Sequence, residues 1–132
     1  MTPTPTALSL SLCDYVIIEE GTGKPSLIGC LDRLIVPDFP SPPRDFALAA
    51  ELTGGRGRGR IAVDITRPDT GESIPLTRAD VYFRDPLFVV RYRTRVIECS
   101  FPVPGRYGVM LFVDGEVVGQ RTIDVEPLGS SS

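Results

Sequence analysis

Residues 101–126, FPVPGRYGVMLFVDGEVVGQRTIDVE, carry the clearest sign of architecture in this chain. Pro104-Gly105 interrupts one extended segment, Tyr107 opens the next, and Asp114-Gly115 separates two runs rich in β-branched and apolar residues, which is a strong short-range hairpin signal. Two forms of the turn are open. With a bulge at Gly115, Tyr107, Val109, Leu111 and Val113 face a core opposite Val117, Ile123 and Val125. A direct two-residue turn reverses the assignment on one strand. YGVMLFV is apolar on both parities, which predicts a strand covered on both faces.

The same period of two extends upstream. Alternation predicts strands over residues 8–18, 27–36, 45–53, 60–67, 74–83 and 87–97, which with 107–113 and 116–126 makes eight. No segment has the 3.6-residue period of an ordinary helix. The 13 Gly and 13 Pro fall mostly between the runs, in EEGTGKP, PDFPSPP, GGRGRG and PDTGES, where they supply turns and end ladders. Short strands at even spacing predict an all-β sandwich or barrel. The 101–126 stretch resembles the closing strands of immunoglobulin-like and fibronectin-like domains, which implies an immunoglobulin-like antiparallel β-sandwich of seven to eight strands. One such domain is expected over residues 8–126, with disordered tails at 1–7 (MTPTPTA) and 127–132 (PLGSSS).

Composition removes several classes of function. A chain of 132 residues with 42% apolar content supports one core. The net charge of -3 argues against nucleic acid, whose binders carry a basic excess. No window reaches the ~20 apolar residues of a membrane span, and the first residues lack the charged segment of a secretory signal, so a soluble, cytoplasmic protein is expected. There is no histidine, which excludes a Ser-His-Asp triad and a cysteine nucleophile with a histidine base. No phosphate-loop or dinucleotide fingerprint is present. A non-enzymatic protein without cofactor or metal is therefore expected.

Two groups of residues stand out against this background. In LCDYVIIEEGTGKPSLIGCLDRLIV, residues 12–36, Asp14 falls at a core parity of the first strand, and Asp32 and Arg33 lie on the second. One register sets Asp14 opposite Asp32, where two carboxylates demand a shared proton, a cation or an arginine. The other sets Cys13 opposite Cys30. Asp14, Asp32 and Arg33 are thus a candidate polar pocket, while the expected state of the carboxylates is local hydrogen bonding to backbone amides or to Arg33 with no ligand. The thiols Cys13, Cys30 and Cys99 are an odd number and match no zinc spacing, which fits free cysteines acting as small apolar groups.

The second group is basic. VVRYRTRV projects Arg91, Arg93 and Arg95 from one face of a strand at intervals of roughly 6.6–7 Å. Cross-strand acids such as Asp80, Asp64 or Glu98 are expected partners; otherwise the row is a surface for an anion or an acidic partner. GGRGRGR places Arg56 and Arg58 at a loop tip, with the same two readings.

These residues also carry a family resemblance. L-C-D-Y-V at residues 12–16, G-x-x-S-L-I-G at 23–29, Asp32-Arg33, F-P, L-T-G-G, and the P-G-x-Y...V-D-G close resemble an uncharacterised bacterial family of small stand-alone proteins, a domain of unknown function, from Leu8 to about Glu126. The resemblance implies a free-standing β domain with no assigned activity. The expected function is a non-catalytic module that self-associates or holds a protein partner. The alternative is a small-ligand binder, taking an anion at the arginines or a cation at Asp14 and Asp32.

Overall fold

A computed structural model of the chain describes residues 4–129. Nine strands form two facing sheets: β1 (Thr6–Ile18), β2 (Pro25–Cys30), β3 (Arg33–Val36), β4 (Arg44–Thr53), β5 (Gly57–Thr66), β6 (Ser73–Phe83), β7 (Val90–Cys99), β8 (Gly105–Val113) and β9 (Glu116–Pro127). One sheet has the order β2-β1-β4-β7 and the other β3-β9-β8-β5-β6. All pairings are antiparallel except β3 with β9. Among the described residues there is no helix.

The extra strand comes from residues 27–36, which alternation alone reads as one. The run breaks after Cys30. Leu31 N–H still donates to Leu12 O at 2.7 Å in the four-stranded sheet, while Asp32 O accepts from Asp124 N–H at 3.0 Å in the other. Two residues therefore carry the chain from one sheet to its partner. The termini also differ from the expected tails: β1 begins at Thr6, Pro5 is buried, and Leu128 N–H donates to Val36 O at 2.8 Å. The remainder of those tails, residues 1–3 and 130–132, lies outside the described residues.

The turn at Asp114-Gly115 is the direct two-residue form. Val113 pairs with Glu116, and both turn residues have positive φ, 50° and 83°, the geometry that matches the right-handed twist of the strands it joins. Parity is restored further on. The register shifts between Leu111 and Phe112 on β8, which leaves Val118 as an extra residue on β9. Val117 consequently points outward at 49% exposure, against the core place that the bulged form of the turn gives it. Ile123 and Val125 point inward beside Tyr107, Val109, Leu111 and Val113.

The core lies between the sheets. Leu12, Phe46, Leu48 and Leu52 come from the four-stranded sheet, and Ile61, Val63, Ile65, Tyr107, Leu111 and Ile123 from the other, all fully or almost fully buried. Each such side chain contributes about 1.5–3 kcal/mol by leaving water. Tyr107 also closes the corner before its own strand: its hydroxyl donates to Val103 O at 2.6 Å and accepts from Val103 N–H at 3.2 Å, with its ring edge-on to Phe101.

Candidate functional site

The outer face of the four-stranded sheet is built as three cross-strand rows. The pairings of β1, β4 and β7 align Ser9 with Glu51 and Arg91, Ser11 with Ala49 and Arg93, and Cys13 with Ala47 and Arg95. Each row gives its arginine a different fate. Arg91 meets a carboxylate, with its Nε 3.2 Å from Glu51. Arg95 turns toward the hairpin, donating to Asp14 O at 3.0 Å and lying 5.2 Å from the centre of the Tyr15 ring, within cation–π range. Arg93 has only alanine and serine beside it and makes no ion pair or hydrogen bond among the described residues.

The expected acids are elsewhere. Asp80 lies 3.8 Å from Arg60 and Asp64 lies 2.9 Å from Arg78, all in strands β5 and β6 of the other sheet, while Glu98 belongs to β7 itself. The true counter-ion, Glu51, sits on β4. Sequence alternation shows that Arg91, Arg93 and Arg95 share a face but says nothing of which strand lies next to theirs.

Beyond Cys13 the first strand leaves β4 and pairs with β2 alone. Register places Cys13 opposite Cys30, Tyr15 opposite Ile28 and Val16 opposite Leu27, so the alternative with Asp14 opposite Asp32 is overturned. Asp14 instead points over Gly29 to Arg44, with Oδ1 2.9 Å from the guanidinium. Gly29 has φ of 67°, and a β-carbon there would collide with Asp14 Oδ2. Only glycine accepts both constraints at once. Arg33 stands on β3 and donates to Glu126 at 2.6 Å, and Asp32 is exposed at the crossing between sheets. The candidate pocket of Asp14, Asp32 and Arg33 therefore does not assemble, because the chain changes sheets between its members. Among the described residues no three His, Cys, Asp or Glu side chains converge as metal ligands.

What does assemble is a cleft. Val16, Pro25 and Leu27 of the hairpin face Ser9, Ser11, Glu51, Arg91 and Arg93 of the sheet across a cavity of about 220 Å³. A second recess of about 260 Å³ adjoins it, lined by Tyr15, Val16, Ala47 and Arg93 to Arg95. Arg93 and Val16 belong to both. Alternation places Val16 on the apolar parity of the first strand with Leu10 and Leu12, which marks an ordinary core position and hides the cleft's hairpin wall.

Arg56 and Arg58 are not at a hairpin tip. Residues 54–56 connect β4 in one sheet to β5 in the other, and Arg58 is already within β5, opposite Tyr82. Both are exposed beside a small recess with Pro5, Phe83 and Asp114, apart from the arginine row.

The three thiols are free, with Cys13 buried, Cys99 half-buried and Cys30 exposed. Burial pushes the Cys13 and Cys99 thiols above the ordinary value of 9.0, so both are protonated and weak as nucleophiles near neutrality. The nearby Cys30 and Asp14 raise Cys13 further, against a lowering by Arg95.

Two sheets in this strand order, a parallel β3–β9 edge and a tyrosine hydroxyl closing the corner before β8 define an immunoglobulin-like β-sandwich. The chain belongs to the family of unknown function DUF6941, whose model matches residues 8–126. Among curated proteins no relative matches. Of solved structures, a β-glucosidase from Listeria innocua in complex with glucose is similar in fold, with a TM-score of 0.52, 10% identity and 94% of this chain covered. The chain spans 16% of that enzyme's length. An immunoglobulin-like protein of Pseudomonas aeruginosa, PA1606, matches with a TM-score of 0.36 and 16% identity over 92% of this chain and 96% of its own. The alkylpurine DNA glycosylase AlkC of Pseudomonas fluorescens matches with a TM-score of 0.45 and 14% identity over 72% and 27%. No helix among the described residues is long and apolar enough to cross a membrane.

Proposed function

We propose that the chain is a non-catalytic interaction module that binds protein, a second copy of itself or another chain, through the outward face of the β1–β2 hairpin. One observation carries this reading. Tyr15, Ile17 and Ile28 stand side by side on that face at 58%, 54% and 46% exposure, Tyr15 directly opposite Ile28 in the ladder. Every residue of β2 is exposed, so the hairpin contributes little to the core that folds the domain. Contiguous apolar side chains kept in water at such a cost to solubility are the signature of a contact surface. An aromatic ring flanked by branched aliphatics has the composition of an interface centre.

Light scattering from about 1 μM to about 1 mM spans affinities from roughly -8 to -4 kcal/mol and measures self-association directly. A mass that rises with concentration, and falls back to one copy when Ile17 and Ile28 are both replaced by aspartate, supports a second copy as partner. A constant mass, with a protein that co-purifies with the wild type and is lost from the double variant, supports another chain. A constant mass with the same proteins retained by both forms overturns the reading.

A further inference from the structure

We propose that the cleft between the hairpin and the outer face of the four-stranded sheet binds a small organic monoanion, a carboxylate on an apolar body, with the Arg93 guanidinium as its ion-pair partner. This goes beyond protein binding by the hairpin, because it uses the opposite face of the hairpin and a different set of residues.

The charge follows from the register. Arg91 is held by Glu51 at 3.2 Å, and Arg95 is engaged by Asp14 O and the Tyr15 ring. Arg93, flanked by Ala49 and Ser11, is left with its full charge and its planar fork of donors. The Ser11 hydroxyl lines the same cleft and makes no hydrogen bond to another described side chain, so it is free to donate to a bound oxygen. One uncommitted cation calls for one negative charge. A dianion would leave its second charge uncompensated, since Arg91 in the same cavity is already held by Glu51.

The apolar body follows from the roof. Val16, Pro25 and Leu27 offer no donor or acceptor from their side chains, and the floor at Ala49 is likewise apolar. A volume of about 220 Å³ lies below the roughly 300–1,000 Å³ of pockets for drug-sized ligands, which limits the body to a few carbon atoms. Carboxylate and guanidinium meet as a bidentate pair, the geometry for which arginine is suited and a lysine is not. A chain whose net charge is -3 repels anions in general, so a local cationic site of this kind selects by position.

The test uses the full chain, isotopically labelled, in an NMR titration with 4-methylvalerate. Its neutral isostere 4-methylvaleramide and inorganic phosphate serve as comparisons. Saturable shifts at Arg93 Nε and at the Val16 and Leu27 methyls, with a Kd around 1 mM, are expected for a ligand of this size. The amide and phosphate should each bind at least about tenfold more weakly, and Arg93→Gln should weaken the acid by about tenfold. Leu27→Ser, an exposed position whose change leaves the fold intact, should weaken it by several-fold through the lost apolar contact. An absence of shifts in the cleft, equal binding of acid and amide, equal binding of phosphate, or an undiminished affinity in Arg93→Gln would each overturn the proposal. A tripeptide ending in leucine with a free carboxylate distinguishes sources. Tighter binding than the free acid assigns the carboxylate to a peptide terminus, and weaker binding assigns it to a free acid.

Discussion

Replacing Tyr107 by phenylalanine keeps the ring against Phe101 but removes the hydroxyl that both donates to and accepts from Val103. The expected loss is about 0.5–1.5 kcal/mol in urea unfolding, the usual net worth of a hydrogen bond. Ionisation at this residue gives a pH dependence with a definite sign. Burial raises the Tyr107 phenol above 10.0, and burial likewise raises the Cys13 and Cys99 thiols above 9.0. For each, the unfolded chain gives up its proton at lower pH than the native one. The stabilisation is thus complete below the ordinary values and declines as pH rises through them toward the folded ones. The urea midpoint is expected to fall as pH passes above 9, and Cys99→Ala should flatten part of that decline. At Gly29, a change to alanine forces the Asp14 carboxylate aside and strains a positive φ, with an expected cost above about 1 kcal/mol. Faster amide exchange confined to the hairpin would report it. Asp14 stands out in the sequence as a carboxylate at a core parity, yet its partner Arg44 is 30 residues away and comes near it through a glycine whose left-handed backbone no alternation reveals.

At the scale of elements, the four sheet edges are guarded by different means. The β2 edge carries Pro25 and the left-handed Gly29, β3 is only four residues long, β6 contains Pro75, and β7 holds the arginine row. Such edges oppose the addition of a further strand. The hairpin root offers a measurable geometric check. Leu31 N–H donates to Leu12 O and Cys13 stands directly opposite Cys30, and directly opposed residues of an antiparallel pair have Cα atoms roughly 4.5–5.5 Å apart. That lies inside the range for a disulfide. Treatment of the unfolded-and-refolded chain with oxidised glutathione is expected to join these two thiols with loss of two hydrogens, leaving Cys99 free, as peptide mapping would show. A mapping that found Cys99 in the link would contradict the register. Strand existence was readable almost throughout, because alternation with Gly and Pro punctuation follows directly from the pleat. Strand pairing was not. The change of sheet after Cys30 leaves the apolar alternation unbroken on both sides, since each half still buries one face, and the extra residues Leu8 and Val118 shift parity without altering composition.

Across the whole molecule, stability rests on side chains that interlock between the two sheets. Leu111 is fully buried at the centre of β8, and Leu111→Ala is expected to cost about 2–5 kcal/mol in urea unfolding, against a total of roughly 5–15 kcal/mol for a domain. The exposed Ile17 and Ile28, by contrast, should change stability by less than about 0.5 kcal/mol when made polar, which separates residues that hold the fold together from those that do not. The fold class was legible from residues 101–126 because the tyrosine and the tight turn constrain the same arrangement, whereas the apolar run on both parities of β8 predicts cover on both faces and its outward Met110 and Phe112 are only half-buried. The cleft was not, since it forms between segments whose individual patterns are ordinary. The parallel ladder from Arg33–Val36 to Asp124–Pro127 has a mechanical consequence. When β3 is drawn back toward its start and β9 onward past its end, parallel neighbours slide in shear, so the rungs bear tension together instead of opening one after another. A tether pulled between those two strands therefore meets greater resistance than one that peels the β1–β2 hairpin from its tip.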